Sequence, residues 1–491
     1  IVSIELEGGD DPQTIFETLN SRGVDLMPGD LMRKFIFQRA KGLGQADHSL
    51  LVDKLYEKHW LPLDRAFWSQ TASRGRQSRT RLDWMLTDHL SMQIGDVVSV
   101  ETLFESYRRW ILTKRPFGDV TTELEAITAT AAIEKRLFDQ EPTDPIGRFG
   151  RFADSFDVST AMPLVIYLAT EPSVVPHLET ALSALESFIL RRDICGLTTK
   201  AYNRFVIGII ERWRTAEGSK VDALVGYLST RQSDTDRWPD DKEWQRKWLA
   251  QAQYKPARQP RLRYVFEAIE LAKRSALNED IEIKSDLTLE HILPQRWREN
   301  WAIPAFDHLD PTERETDPDY LTARMERDAV IDVFGNLTLL TGPLNTSVSN
   351  GPYSKKMVAV RSHSSLALNR ELNAYDDWNE TTITQRGASL FATARTIWAA
   401  PVPPVTAAQP VSEEVEGFPP DGTECRFSYG GRQHEGIIES GKLNVSGFEA
   451  PFGSFSAASR AVTQTSRNGW LDWQLKDAAG GWTLANDWRQ R

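Results

Sequence analysis

Two cysteines, Cys195 and Cys425, are all that the 491 residues contain. That count excludes a disulfide framework and a four-cysteine zinc site, and such sparing use of cysteine suits a reducing cytoplasm. Long apolar runs are missing as well. No stretch approaches the ~18 residues of a membrane span, so a cytoplasmic protein with no membrane partner is expected. The first residues, Ile-Val-Ser-Ile-Glu-Leu, alternate like a strand and lack the basic start of a signal peptide. Beginning inside a strand, they lead to the expectation that further sequence lies upstream. An excess of positive charge is also absent. The net charge is −11, the wrong sign for a protein that coats nucleic acid, so any affinity for DNA must come from local basic patches.

What remains is an ordinary globular composition, 40% hydrophobic and 26% charged, in a chain long enough for about three or four domains. Helical periodicity dominates to about residue 280, as in Leu178, Ala181, Leu182, Leu185 and Phe188. Asp11-Pro12 opens a helix that Gly23 closes, and a second runs from Pro28-Gly29-Asp30 to Gly42, burying Leu31, Met32, Phe35 and Ile36. Trp60, Trp68, Trp84, Trp110, Trp213, Trp244 and Trp248 fall in this region, where helical spacing favours core packing over base stacking. From about 281 the texture changes to short β-like pieces, broken by a polar insertion through Asp307–Arg327. Residues 399–416 have linker composition. Beyond them Cys425–Tyr429, Gly436–Glu439 and Lys442–Val445 read as strands, and Ser456 as the cap of a helix reaching Thr465. The fold class is therefore mainly α with α+β parts.

Two basic clusters could face DNA: Arg74, Arg76, Arg79 and Arg81 in a Ser/Gly/Thr-rich loop, and Lys255, Arg258, Arg261 and Arg263, interrupted by prolines. Surface ion pairs explain such clusters equally well.

The chemistry concentrates further along. Leu-Glu-His-Ile-Leu-Pro-Gln, containing Glu290 and His291, precedes Gly-Asn-Leu-Thr-Leu-Leu-Thr-Gly-Pro-Leu-Asn, containing Asn336 and Asn345. Phosphodiester hydrolysis needs a deprotonated water and a neutralised phosphate. A His that titrates near neutral pH can take the proton. Mg²⁺ (or Mn²⁺) prefers oxygen donors and keeps waters, so one carboxylate and one amide carbonyl suffice as anchors. His291 is thus the expected general base, with Asn336 holding its ring and Glu290 and Asn345 holding the ion. Asn350 is a spare ligand, and Lys355 and Lys356 neutralise phosphate.

These strings resemble the HNH (ββα-metal) nucleases, including the HNH domain of RNA-guided Cas enzymes. They are more similar still to the nuclease half of GmrSD-type, modification-dependent (type IV) restriction endonucleases, where the Glu-His-Ile-x-Pro-Gln and Gly-Asn-Leu-Thr-Leu-Leu strings recur with a following Asn and Lys. Phe188-Ile-Leu-Arg-Arg-Asp-Ile-Cys-Gly-Leu, with Tyr202-Asn203, resembles the helical lead-in of that half. The resemblance covers residues 185–400 and implies an endodeoxyribonuclease of phage defence, acting on double-stranded, modified DNA. Many HNH enzymes carry Asp where Glu290 stands, which bears on the metal geometry.

Ile15-Phe16-Glu17-Thr18-Leu19-Asn20-Ser21-Arg22-Gly23 resembles the end of the ParB-like NTPase domain of the same enzymes, implying nucleotide contacts by Asn20 and Arg22. The Asp-Gly-Gln-Gln-Arg motif of that domain is absent, so NTP hydrolysis is expected only of a longer parent. Residues 417–491 resemble the RAMA-type domain. Gly422-Thr423, Phe455-Ser456-Ala457-Ala458, Asn468-Gly469-Trp470, Trp473 and Trp482 carry that likeness, which implies DNA reading through Trp470 or Trp473. The expected domains are 1–45 (NTPase remnant), 46–184 (helical), 185–398 (lead-in and HNH nuclease, core 284–360), the 399–416 linker and 417–491. A homo-oligomer or a partner restriction subunit fits such a system. The alternatives are a non-cutting, NTP-gated DNA-binding regulator and an HNH ribonuclease toxin.

Overall fold

A computed structural model describes residues 27–42, 48–199, 202–214, 220–231, 233–274, 285–400, 418–429, 432–448, 450–463, 469–477, 480–485 and 488. The expected helix at 11–23, Asn20, Arg22 and most of the linker lie outside the described residues. The chain divides into two compact units, residues 1–404 and 405–491. Each cysteine sits in its own unit, buried and free. Among the described residues no helix is long and apolar enough to cross a membrane.

The first unit is mainly helical. Helix α1 (Pro28–Gly42) buries Met32, Phe35 and Ile36 as its 3.6-residue spacing predicts, while Leu31 stays half-buried. A short hairpin follows, β1 (Thr71–Arg74) against β2 (Gln77–Thr80). Thr80 then caps α2 (Arg81–Ile94), its side chain accepting from Asp83 N. Helix α3 (Val120–Asp139) starts on Asp119 in the same way. Of the tryptophans named above, Trp60, Trp68, Trp84, Trp213, Trp244 and Trp248 are buried and Trp110 is packed at a core's edge.

Helix α2 carries a buried histidine with a measurable consequence. His89 Nδ1 lies 2.8 Å from Thr130 Oγ, which is itself 3.2 Å from the Ala126 carbonyl. Nε2 is left buried without a partner. Burial pushes the His89 pKa down to about 4 from 6.5. The unfolded chain therefore binds a proton below pH 6.5 that the native state refuses until about pH 4. Stability falls across that window by up to about 3 kcal/mol. Chemical denaturation at pH 7.5 and 4.5 should show this component, and His89→Gln should lack it.

Helix α4 (Leu178–Ile194) carries most of the string likened above to a nuclease lead-in. Its Arg191 is fully buried, donating to the Trp398 and Pro239 carbonyls. Arg192, equally buried, gathers the carbonyls of Thr198, Asp234, Thr235 and Arg237. Helices α5 (Asp241–Ala250) and α6 (Gln259–Lys273) complete the bed on which the mixed region lies.

In that region β3 (Leu287–His291) and β4 (Leu337–Thr341) form an antiparallel hairpin pairing Glu290 with Thr338 and His291 with Leu337. The connection between them is not one loop. It contains α7 (Pro318–Val330), started by Pro318 behind the Asp317 cap, where composition alone reads as a polar insertion. Two short helices follow β4: α8 (Gly342–Val348) and α9 (Tyr353–His363). Leu337 and Leu339 of β4 enter the large helical core and Leu340 a smaller one with Ile292, Leu293, Leu344 and Met357. Both faces are covered, which is why Thr338 is as buried as the leucines on either side of it. Helix α10 (Glu380–Ile397) closes over the turn before β4. A Cβ on Gly335 would stand 2.1 Å from the Ile383 carbonyl oxygen, so only glycine permits this approach.

The second unit holds a five-stranded antiparallel sheet in the order β7-β6-β5-β8-β9, from β5 (Glu424–Tyr429), β6 (Arg432–Glu439), β7 (Lys442–Val445), β8 (Gln474–Lys476) and β9 (Trp482–Leu484). Helix α11 (Phe455–Thr463) begins one residue earlier than expected. Its cap is Ser454, which accepts from Ala457 N. Ser456 instead accepts from Gly469 N.

Candidate functional site

Glu290 and His291 are the last two residues of β3, and the period of a strand sends them to opposite faces. On one face stand Thr288 and Glu290. Asn345, from α8, leans back onto it, its Nδ2 donating to Thr288 Oγ (3.0 Å) and the Leu289 carbonyl (3.1 Å). A carbonyl can only accept, so the NH₂ group must face Leu289, and the amide oxygen Oδ1 has no donor among the described residues. Lys356, from α9 and only 2% exposed, donates to Glu290 Oε1 (2.6 Å) and to the His291 carbonyl (2.8 Å). Burial pushes the Lys356 ammonium down from its ordinary value, and the charge and hydrogen bond of Glu290 oppose that.

On the other face the His291 ring is 8% exposed. Tyr254 packs edge-on against it with centroids 4.5 Å apart. His291 Nε2 lies 2.9 Å from Asp332 Oδ1. Burial would raise the Asp332 carboxyl. The hydrogen bond and charge of His291, together with Gln295 Nε2 at 3.3 Å, outweigh it and hold the group below the usual aspartate value. Asp332 is therefore an acceptor at neutral pH. It fixes the proton on Nε2 and leaves Nδ1 as the basic nitrogen. Asp332 is itself held through its carbonyl, which accepts from Gln253 N (2.7 Å) and Tyr254 N (3.2 Å). Gln253 Nε2 in turn donates to the Ile194 carbonyl at the end of α4. The lead-in helix is thereby tied to the imidazole.

Several expectations need correction. Asn336 does not touch the imidazole. It is fully buried, its Oδ1 accepting from Leu293 N and Trp378 Nε1 and its Nδ2 donating to the Leu293 and Ile331 carbonyls. All its capacity goes into holding the turn. Lys356 is committed to Glu290 and buried, so it is not presented to a phosphate, whereas Lys355 is exposed. Asn350 makes no side-chain hydrogen bond to the described residues, and its carbonyl accepts from Asn300 Nδ2.

The basic clusters are largely consumed by the fold. Arg74 pairs with Asp88 at 2.7 Å and lies over Trp84. Arg79 reaches Glu101 at 3.4 Å, and Arg81 lies over Phe67 and Phe138. Only Arg76, at the hairpin tip, is exposed with no partner among the described residues. Arg258 and Arg261 each bind Asp193 at 2.5 Å, leaving Lys255 exposed. Trp473 is a core residue, 0% exposed, with Nε1 donating to Ser459 Oγ at 3.2 Å. Trp470 packs on Phe455. The aromatic ring of this unit that a cation covers is Trp482, under Arg426 at 4.2 Å.

Reasoning from the sequence missed Asp332 and Tyr254. A lone acid in the apolar string Val-Ile-Asp-Val-Phe-Gly-Asn was the available signal for the first. Tyr254 carried none.

Among the described residues no three His, Cys, Asp or Glu side chains gather so as to hold a metal ion. On the Thr288–Glu290 face of β3 the side-chain oxygens include one carboxylate and one amide oxygen, the hard-oxygen type that Mg²⁺ with retained waters prefers. Lys356 sits on Glu290 Oε1, so a metal would take the second carboxylate oxygen.

Residues 238–393, from before α5 to near the end of α10, match the family model of the GmrSD restriction endonucleases, C-terminal domain. No curated protein matches the chain. The family match supports a GmrSD-type restriction endonuclease, a nuclease class that acts on DNA.

Proposed function

We propose that β3, β4 and α8 form the HNH (ββα-metal) centre of a Mg²⁺- or Mn²⁺-dependent DNA endonuclease in a modification-dependent phage-defence system. The observation that carries this reading is the return of Asn345 onto β3 beside Glu290, one residue from a histidine whose basic nitrogen is set by Asp332. Glu290 and Asn345 would hold the ion, which when bound supplies positive charge at the phosphate and leaving oxygen. His291 Nδ1 takes the proton from the attacking water. Because Glu290 and His291 face opposite ways, the scissile phosphate belongs at the end of β3, where both can reach it. Lys356 positions Glu290, and Asn336 keeps the turn. Of the cations singled out in the sequence, Lys255, Lys355 and Arg76 are exposed and available to the DNA backbone. The N-terminal residues, as an NTPase remnant, and the second unit, as a RAMA-like reader, would restrict where cutting occurs.

The test is incubation of the full chain with bare, methylated, glucosylated and phosphorothioated DNA, and with total RNA, in Mg²⁺, Mn²⁺ or chelator. Metal-dependent DNA cutting is expected. Failure to cut any of these DNAs, or degradation of RNA alone, overturns the reading. Asp332→Asn should lower the cleavage rate about ten-fold or more, because an amide no longer dictates which ring nitrogen carries the proton. An unchanged rate would remove Asp332 from the mechanism.

A further inference from the structure

Tyr254 reaches the His291 end of β3 from the helical part of the first unit, in the segment joining α5 to α6. It meets both members of the His291–Asp332 pair. Its N–H, with that of Gln253, donates to the Asp332 carbonyl. Its ring stands at 75° to the imidazole, with centroids 4.5 Å apart.

The segment that carries this ring is fixed on either side. Gln253 is 1% exposed; its Nε2 donates to the Ile194 carbonyl at 3.1 Å and its Oε1 accepts from Arg258 Nη2 at 3.2 Å. Arg258 in turn pairs with Asp193 of α4. The far end of the tyrosine is tied as well, because its hydroxyl accepts from Nε2 of Gln259, the first residue of α6, at 3.1 Å. Backbone and hydroxyl thus hold the Tyr254 ring independently of the histidine it packs against.

The imidazole needs such a surface. A hydrogen bond tolerates about 30° of bend, so the contact of Nε2 with Asp332 leaves the ring room to tilt. The outer torsion of a histidine has only a broad preference of its own. The plane of the ring, and with it the line along which Nδ1 takes a proton, is left to packing.

We propose that Tyr254 is a positioning residue for the endonuclease centre, its ring setting the plane of His291 so that Nδ1 faces the attacking water. This rests on the reading of His291 as the base. The strand supplies the base, and the α5–α6 segment its orientation.

The test is DNA cleavage by the full chain in Mg²⁺, for Tyr254→Leu and Tyr254→Phe, each alone and combined with His291→Ala. Tyr254→Leu should lower the maximal rate about ten-fold or more, since small misplacements of a reacting group are costly. The half-saturating DNA concentration should not change. Tyr254→Phe, which keeps the ring, should retain most of the wild-type rate. In the His291→Ala background Tyr254→Leu should cost nothing further, because no imidazole remains to be oriented. If Tyr254→Leu melts early, Tyr254→Met refills the volume without a flat ring and decides in its place. Tyr254→Phe as slow as Tyr254→Leu would assign the effect to the hydroxyl and overturn the proposal. A further loss in the His291→Ala background would overturn it too. Cutting that depends on His291 but not on Tyr254 overturns this proposal alone, whereas no cutting by the wild type overturns the endonuclease reading with it.

Discussion

Replacing His291 with alanine should lower DNA cleavage by about 100- to 10,000-fold, the usual contribution of a positioned base, with the fold intact. The ring packs edge-on against Tyr254 and bonds to Asp332, so its removal deletes that edge contact and that hydrogen bond. The carboxylate left behind is not stranded, because Asp332 is a third exposed and keeps Gln295. A thermal midpoint within a few degrees of wild type, together with a lost cleavage rate, is the expected pair of results. Wild-type cutting by His291→Ala would end the assignment of the base.

Asn336→Ala should give the opposite pair. Four buried groups lose their partner at once: Leu293 N, Trp378 Nε1 and the carbonyls of Leu293 and Ile331. At about 1–3 kcal/mol for each buried group left unsatisfied, a loss of about 4 kcal/mol or more is expected. Chemical denaturation measures it directly. Cleavage should then follow the folded fraction, recovering on cooling, whereas His291→Ala stays inactive at every temperature. If Asn336→Ala melts like wild type but does not cut, the asparagine acts in the chemistry after all.

The contrast between these two residues shows how far the sequence was readable. That Glu290 and His291 point to opposite sides of a strand was legible because strand alternation is local. Asn336 looked catalytic as an asparagine at a Gly turn. Only the packing of Trp378 and Leu293 against it reveals a strut. Similarly, α1, α4 and the first three strands of the second unit follow from side-chain period and turn chemistry, while β8 and β9 emerge only from the structure. The cap of α11 was misplaced by two residues because Ser454 and Ser456 are chemically equivalent until Gly469 claims one of them.

Charge was the least readable property. Four arginines within eight residues look like one DNA-facing patch, yet Asp88, Glu101 and the rings of Trp84, Phe67 and Phe138 occupy three of them. Residue order settles which groups can donate, accept or titrate, and which segments curl or extend, since both depend on covalent structure and near neighbours. Which carboxylate meets which cation, and which imidazole nitrogen stays basic, depends on segments tens of residues apart. An ion pair or hydrogen bond acts over a few ångströms of space, so those choices waited for the packed chain.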